Sequence, residues 1–216
     1  MKSIPLSILF VGALLLSSCT DRIEQYFYKS FFIHETSFNI EGEVFVNDSL
    51  SEQAEFDRIV VRTSSVDDWE IEGIKREGNK FELTVDVAAN GITLSSETII
   101  PGREGSYGFD HGLSRFPDDF PYCVLSFYVD TRRARGAIES DFGDYYYYIY
   151  IPEAIDISDI EMHKGSGLFD SFINEYYYDL NFPRPGWYKI YQSHNNPIGN
   201  KAKYSSGAST KIRSPK

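Results

Sequence analysis

The side chains able to do chemistry in this chain are of few kinds. Its thiols are Cys19 and Cys123, and its imidazoles are His34, His111, His163 and His194. No His-x-x-x-His or Cys-x-x-Cys frame joins them, so their spacing suits no metal, and no cofactor is expected. Cys123 stands in an apolar run, which favours a buried, inert thiol over a nucleophile. There is no Gly-x-Ser-x-Gly elbow and no glycine loop shaped for phosphate. Asp67-Asp68, Asp118-Asp119 and Asp141-Phe142-Gly143-Asp144 pair carboxylates in loop-like stretches. Calcium takes oxygen ligands of that kind, but none of the three has the EF-hand spacing. A glycosidase needs two carboxylates across a cleft, and among 32 acidic residues no pattern singles out a pair. The expectation is therefore a non-enzymatic protein. A small hydrolase of envelope or extracellular polysaccharide is the alternative.

Tyrosine is the more informative residue. Tyr145 to Tyr148 with Tyr150, and Tyr176 to Tyr178, form two clusters. Exposed aromatic faces stack on sugars or anchor protein interfaces. On a strand, alternate members of each cluster point to opposite sides, so one set enters the core and the other faces outward. Tyr146, Tyr148 and Tyr177 are the candidates for stacking on a protein or glycan partner.

Cys19 acquires its meaning from what precedes it. Lys2 gives a positive start, and Ile4 to Leu16 is an apolar run too short to span a membrane, which takes about 20 residues. The run fits the apolar region of a secretory signal. It ends in Leu16-Ser17-Ser18-Cys19, which resembles the lipobox of bacterial lipoproteins: an aliphatic residue, two small ones, then cysteine. The resemblance covers the first nineteen residues. It implies that residues 1–18 are removed, that the Cys19 thiol carries a diacylglycerol, and that the freed amine takes a further acyl chain. Buried acyl chains contribute ~0.8 kcal/mol per CH₂, enough for a stable anchor. Thr20, in place of an aspartate directly after the cysteine, favours the outer membrane by the enterobacterial sorting rule. Asp21 and Glu24 are a thin version of the acidic run that lipoproteins of the Bacteroidota carry for surface export. Whether the protein faces the periplasm or the exterior stays open.

The elements that must position these residues read as strands. Phe81, Leu83, Val85 and Val87 alternate with Lys80, Glu82, Thr84 and Asp86, so one face is buried and one wet. Ile40, Val44 and Val46 share a face around Gly42, and Ile59-Val60-Val61 is a β-branched run. Tyr122 to Val129 and Tyr145 to Ile151 are apolar on both faces, as in central strands. Tyr176, Tyr178, Leu180 and Phe182 alternate with Tyr177, Asp179 and Asn181, and Trp187 to Tyr191 is a last strand. Glu77-Gly78-Asn79, Asn90-Gly91, Pro101-Gly102 and Pro185-Gly186 mark turns. Ser158 with Glu161 matches a capping box, and Leu168, Phe169, Phe172, Ile173 and Tyr176 have helical spacing, so one short helix is allowed.

Charge divides the chain. The net charge is −11, which argues against nucleic acid as a partner. Lys201, Lys203, Lys211, Arg213 and Lys216 fall in residues 193–216, which hold no acid and no periodicity. The expected organisation is a signal peptide at 1–18, a membrane-proximal segment at 19–37, a body at 38–192 and a mobile basic tail at 193–216. The tail is expected to contribute nothing to the core. The glycine- and proline-bearing stretch 102–121 is the place where the body could divide into two small sandwiches.

Two stretches resemble the transthyretin-like sandwich of carboxypeptidase regulatory domains. The first is Ile40-Glu41-Gly42-Glu43-Val44, Arg58-Ile59-Val60-Val61 and Gly78-Asn79-Lys80-Phe81-Glu82-Leu83-Thr84-Val85. The second, from Tyr176-Tyr177-Tyr178-Asp179-Leu180 through Pro183-Arg184-Pro185-Gly186 to Trp187-Tyr188-Lys189-Ile190, is similar to that family's closing hairpin. The resemblance implies a β-sandwich used for binding or scaffolding. An immunoglobulin-like sandwich shares the same features, and fold alone does not set function.

Overall fold

The computed structural model describes residues 22–45, 53–63, 70–88, 115–117, 120–130, 132–134, 137–138, 145–166, 171–194 and 209–213. Residues 1–18, expected to be a signal peptide, Cys19, His111 and the three acidic pairs lie outside the described residues. The described chain is mainly β, with sixteen strands and no helix. Fourteen strands join one hydrogen-bonded network that folds over on itself as a sandwich.

The centre of the network is made by β1 (Arg22–His34), β15 (Gly186–His194) and β10 (Tyr145–Ile151), paired antiparallel in that order. On one side, β13 (Ser171–Asp179) runs parallel to β1, and β12 (Asp159–Ser166) pairs antiparallel with β13 to form the outer edge. On the other side the network forks along β10. Near Tyr145 it continues through β9 (Ala137–Ile138), β16 (Ser209–Arg213), β2 (Ser37–Phe45), β6 (Lys80–Asp86) and β5 (Ile74–Lys75). Near Tyr150 it continues through β7 (Cys123–Val129), β3 (Ile59–Thr63) and β4 (Glu70–Glu72), with β8 (Arg132–Arg133) beside β7. β11 (Ile155–Asp156) and β14 (Asn181–Phe182) form a separate short ladder.

The two arms of the fork close over one core. Ile40 and Val44 of β2 and Phe81, Leu83 and Val85 of β6 meet Ile59 and Val61 of β3 and Leu125, Phe127 and Val129 of β7. The predicted alternation of β6 holds: Phe81, Leu83 and Val85 are buried while Lys80 and Thr84 are exposed. A second core lies on the opposite face of the central strands. There Tyr28, Tyr147, Ile149, Tyr188 and Ile190 pack with Phe116, Phe120 and Tyr122.

The turn residues behave as their chemistry requires. Gly78 has φ +72°, a left-handed conformation that favours glycine, and the following Asn79 is buried, donating from Nδ2 to Val44 O at 2.8 Å. Gly186 has φ +144°, and a Cβ there would meet His34 O at 2.6 Å. Glycine at 186 therefore lets β15 start hard against the end of β1. His34 is engaged in the same corner, its Nδ1 accepting from the backbone N–H groups of Thr36 and Ser37 at 3.3 and 3.2 Å.

Several expectations are corrected. The described part of 19–37, residues 22–37, is not a segment apart from the body, because β1 is a central strand whose Tyr28 is buried. No short helix forms over the described part of 158–176. Glu161 lies in β12 and Phe172, Ile173 and Tyr176 in β13, because β1 offers a full parallel ladder to this β-favouring stretch. Leu168 and Phe169 lie outside the described residues. Strands β13 and β15 are not a hairpin, since β1 is inserted between them. Of the stretch 102–121 only residues 115–117 and 120–121 are described, and there Phe116 and Phe120 pack in the second core. The basic tail is not mobile throughout. β15 continues to His194, and β16 pairs with both β2 and β9, with Ile212 wholly buried. An apolar residue between two basic ones suffices there, because the slot between β9 and β2 lacks a strand without it.

Two changes test this packing. Phe81→Ala should cost about 3–5 kcal/mol, and Ile212→Ala about 2–5 kcal/mol, in denaturant unfolding. Ending the chain at Ala208 should lower the melting temperature. An unchanged value would mean that β16 does not hold the sheet.

Candidate functional site

The structure separates the three tyrosines proposed for stacking. Tyr146 and Tyr148 are 0% exposed and belong to the first core, so they are not available to a ligand. The reason is that β10 is covered on both faces: Tyr147, pointing the other way, is buried in the second core. Alternation places neighbours on opposite sides, but here both sides are interior. Tyr177 on β13 is half-buried and remains a candidate. Cys123 is buried, which pushes its thiol pKa up to about 12, as an inert thiol requires.

Tyr146 and Tyr148 instead surround an ion that the sequence reading passed over. Lys189 on β15 is 0% exposed, directly opposite Tyr148 in the ladder. Its Nζ lies 4.5 Å from the ring centre of Tyr146, 5.6 Å from that of Tyr148 and 5.8 Å from that of Tyr191. Tyr191 Oη is 3.5 Å away. A buried ammonium must be compensated, and facing π systems contribute to that. The signal was legible: Trp187-x-Lys189-x-Tyr191 puts the lysine on the same side as two large aromatics.

The exposed candidate surface is the face of β12, β13 and β1 that continues outward from the first core. Register fixes its rows. Ile160, Tyr177 and Phe27 lie side by side, then Met162, Glu175 and Gln25, then Lys164, Ile173 and Ile23 at the end. Among the described residues the exposed large apolar side chains are Met162 (65%), Ile160 (62%), Ile74 (55%) and Ile23 (52%). Three of the four therefore gather on this one face. Tyr177 stacks on Phe27 with ring centres 4.8 Å apart and planes at 10°. Glu175, between the apolar rows, accepts from Gln25 Nε2 at 2.7 Å and from Tyr177 Oη at 2.8 Å. Those two bonds, Gln25 first, hold its carboxyl below the usual glutamate range. Lys29 and Asp179 form an ion pair at the inner border.

The reverse face of the same strand ends is polar and aromatic. Tyr26 is stacked between Tyr176 (5.0 Å) and His194 (4.7 Å). Tyr26 Oη donates to Glu24 at 3.1 Å, and His194 Nε2 lies 3.7 Å from the same carboxylate. Arg115 reaches Asp159 at 2.6 Å and Glu161 at 3.6 Å. Acid and imidazole are thus tied into a stacked column. Among the described residues, no group of three or more His, Cys, Asp or Glu side chains is placed to hold a metal ion. A shallow groove of about 510 Å³ lies elsewhere, over β2, β6 and β16, lined by Glu41, Glu43, Arg76, Lys80, Glu82 and Lys211. Its Arg76 and Glu82 pair at 2.6 Å, so both signs of charge share the groove.

In Gln25→Ala protein the Glu175 carboxyl should titrate nearer to ordinary glutamate, upward from its value in the unmodified chain. A carboxyl-carbon NMR titration reads this directly, and an unmoved Glu175 would show that Gln25 does not hold it.

No family model, curated protein or solved structure matches this chain.

Proposed function

We propose that this protein is a lipid-anchored lipoprotein of the bacterial outer membrane, working as a non-enzymatic binding or structural module. Leu16-Ser17-Ser18-Cys19 supports the anchor. The observation that carries the binding role is the outer sheet face with Ile160, Met162 and Ile23 exposed beside the Phe27–Tyr177 stack. Exposed apolar side chains cost solubility, and a contiguous group of them marks an interaction surface. Such a face offers area and shape for recognition. Among its charged neighbours Glu175 is held by Gln25 and Tyr177, and Asp179 by Lys29.

Cys19→Ala should abolish fatty-acid labelling in cells and shift the protein from the membrane to the soluble fraction. A Cys19→Ala protein that is processed and membrane-bound as before would falsify the anchor.

A further inference from the structure

The exposed face and the lipid-bearing cysteine lie close together in the chain. Only Thr20 and Asp21 stand between Cys19 and β1, which opens at Arg22. An extended chain spans at most about 3.6 Å per residue, so Arg22 is within roughly 11 Å of the anchored residue. No long tether is available to lift the sheet away. The strand ends that share this corner follow from register. Arg22 lies beside Phe172 of β13, Phe172 beside Gly165 of β12, and His194 of β15 beside Tyr26. On the apolar face Ile23 comes first. Met162 is level with Gln25, about 7 Å further along, and Ile160 is level with Phe27, about 14 Å along at roughly 3.4 Å per residue. The exposed apolar side chains therefore begin at the anchor and run up one face.

We propose that this face is a membrane seat: Ile23, Met162 and Ile160 rest in the headgroup region of the bilayer that holds the Cys19 lipid. The inference rests on the anchor reading and names what the exposed face binds. The sheet then leans with its β12–β13–β1 face toward the lipid. Anchoring makes the contact intramolecular in effect, so a few apolar side chains suffice where a free domain would need many. The contact is apolar, not electrostatic, because the chain from Cys19 on, with 20 Lys and Arg against 32 Asp and Glu, is repelled by anionic headgroups. It should therefore survive high salt. A protein partner, including a second copy pairing along β12, is the competing occupant.

The test uses the chain from Cys19 to Lys216, coupled through Cys19 to a maleimide phospholipid in vesicles of phosphatidylethanolamine and phosphatidylglycerol. Buried Cys123 is protected from the coupling. A tryptophan placed by Met162→Trp reports depth through quenching by acyl-chain-brominated lipid. Ile74→Trp, at an equally exposed site on β5, serves as the control. We expect the added Met162→Trp fluorescence to fall about twofold, in low and high salt alike, as insertion by ~5–10 Å requires. The Ile74→Trp protein should match the unmodified chain. Equal quenching at both sites, or none at Met162→Trp, overturns the seat. So does a blue shift of the Met162→Trp protein that grows with concentration without vesicles, which would assign the face to a second copy. Fatty-acid labelling of Cys19 in cells is a separate readout. Its absence sinks the anchor reading, and with it the seat in the native protein. Labelled protein with an unquenched Met162→Trp site sinks the seat alone.

Discussion

Everything in this fold depends on burying the central strands on both faces. β15 and β10 carry large side chains in both directions: Trp187, Tyr191, Tyr146 and Tyr148 toward one core, Tyr188, Ile190, Tyr147 and Ile149 toward the other. A strand of this kind is stable only between two covers. The forked arms of the sheet provide one, and Phe116, Phe120 and Tyr122 with Leu180 and Phe182 provide the other. Burial on both sides also explains the aromatic-rich composition, since wide rings fill two layers from a single strand. It further explains why a lysine in β15 ends inside an aromatic enclosure.

The sheet is assembled from distant pieces of chain. β1, from the start of the described chain, separates β13 from β15, and β16, near the C-terminus, fills the slot between β9 and β2. The core between the arms is therefore complete only when both ends of the chain are in place. Such non-local pairing brings late loop closure and slow folding relative to a hairpin-built sandwich. It also makes β1, the first described strand, part of the core. Tyr28 is buried on the same strand whose Ile23, five residues earlier, is exposed.

One face of the sheet changes character along its width without changing strand chemistry. Where the arms cover it, the face is the first core. Beyond them, across β1, β13 and β12, it meets solvent with Phe27, Tyr177, Ile160 and Met162 still apolar. An exposed apolar surface of this type needs no special geometry of its own. It is the core pattern carried past the edge of its cover, stiffened by the Phe27–Tyr177 stack and by the bonds onto Glu175.

The amino-acid order determined the local features. The alternation from Lys80 to Asp86 sets which side of β6 is buried, Gly78 and Gly186 mark the turns, and the two-sided apolar runs at β7 and β10 identify inner strands. The reading of Leu16-Ser17-Ser18-Cys19 as a lipobox, too, rests on sequence alone. Tertiary structure decided which strands are neighbours. It put β1 between β13 and β15, recruited Ser209–Arg213 from a tail with no visible periodicity, and turned Tyr146 and Tyr148 inward while leaving Tyr177 at the surface. The physical reason is that a period of two assigns side chains to faces and says nothing about what covers each face. Cover comes from residues far away in the chain, and only their arrival makes one face a core and its continuation a surface.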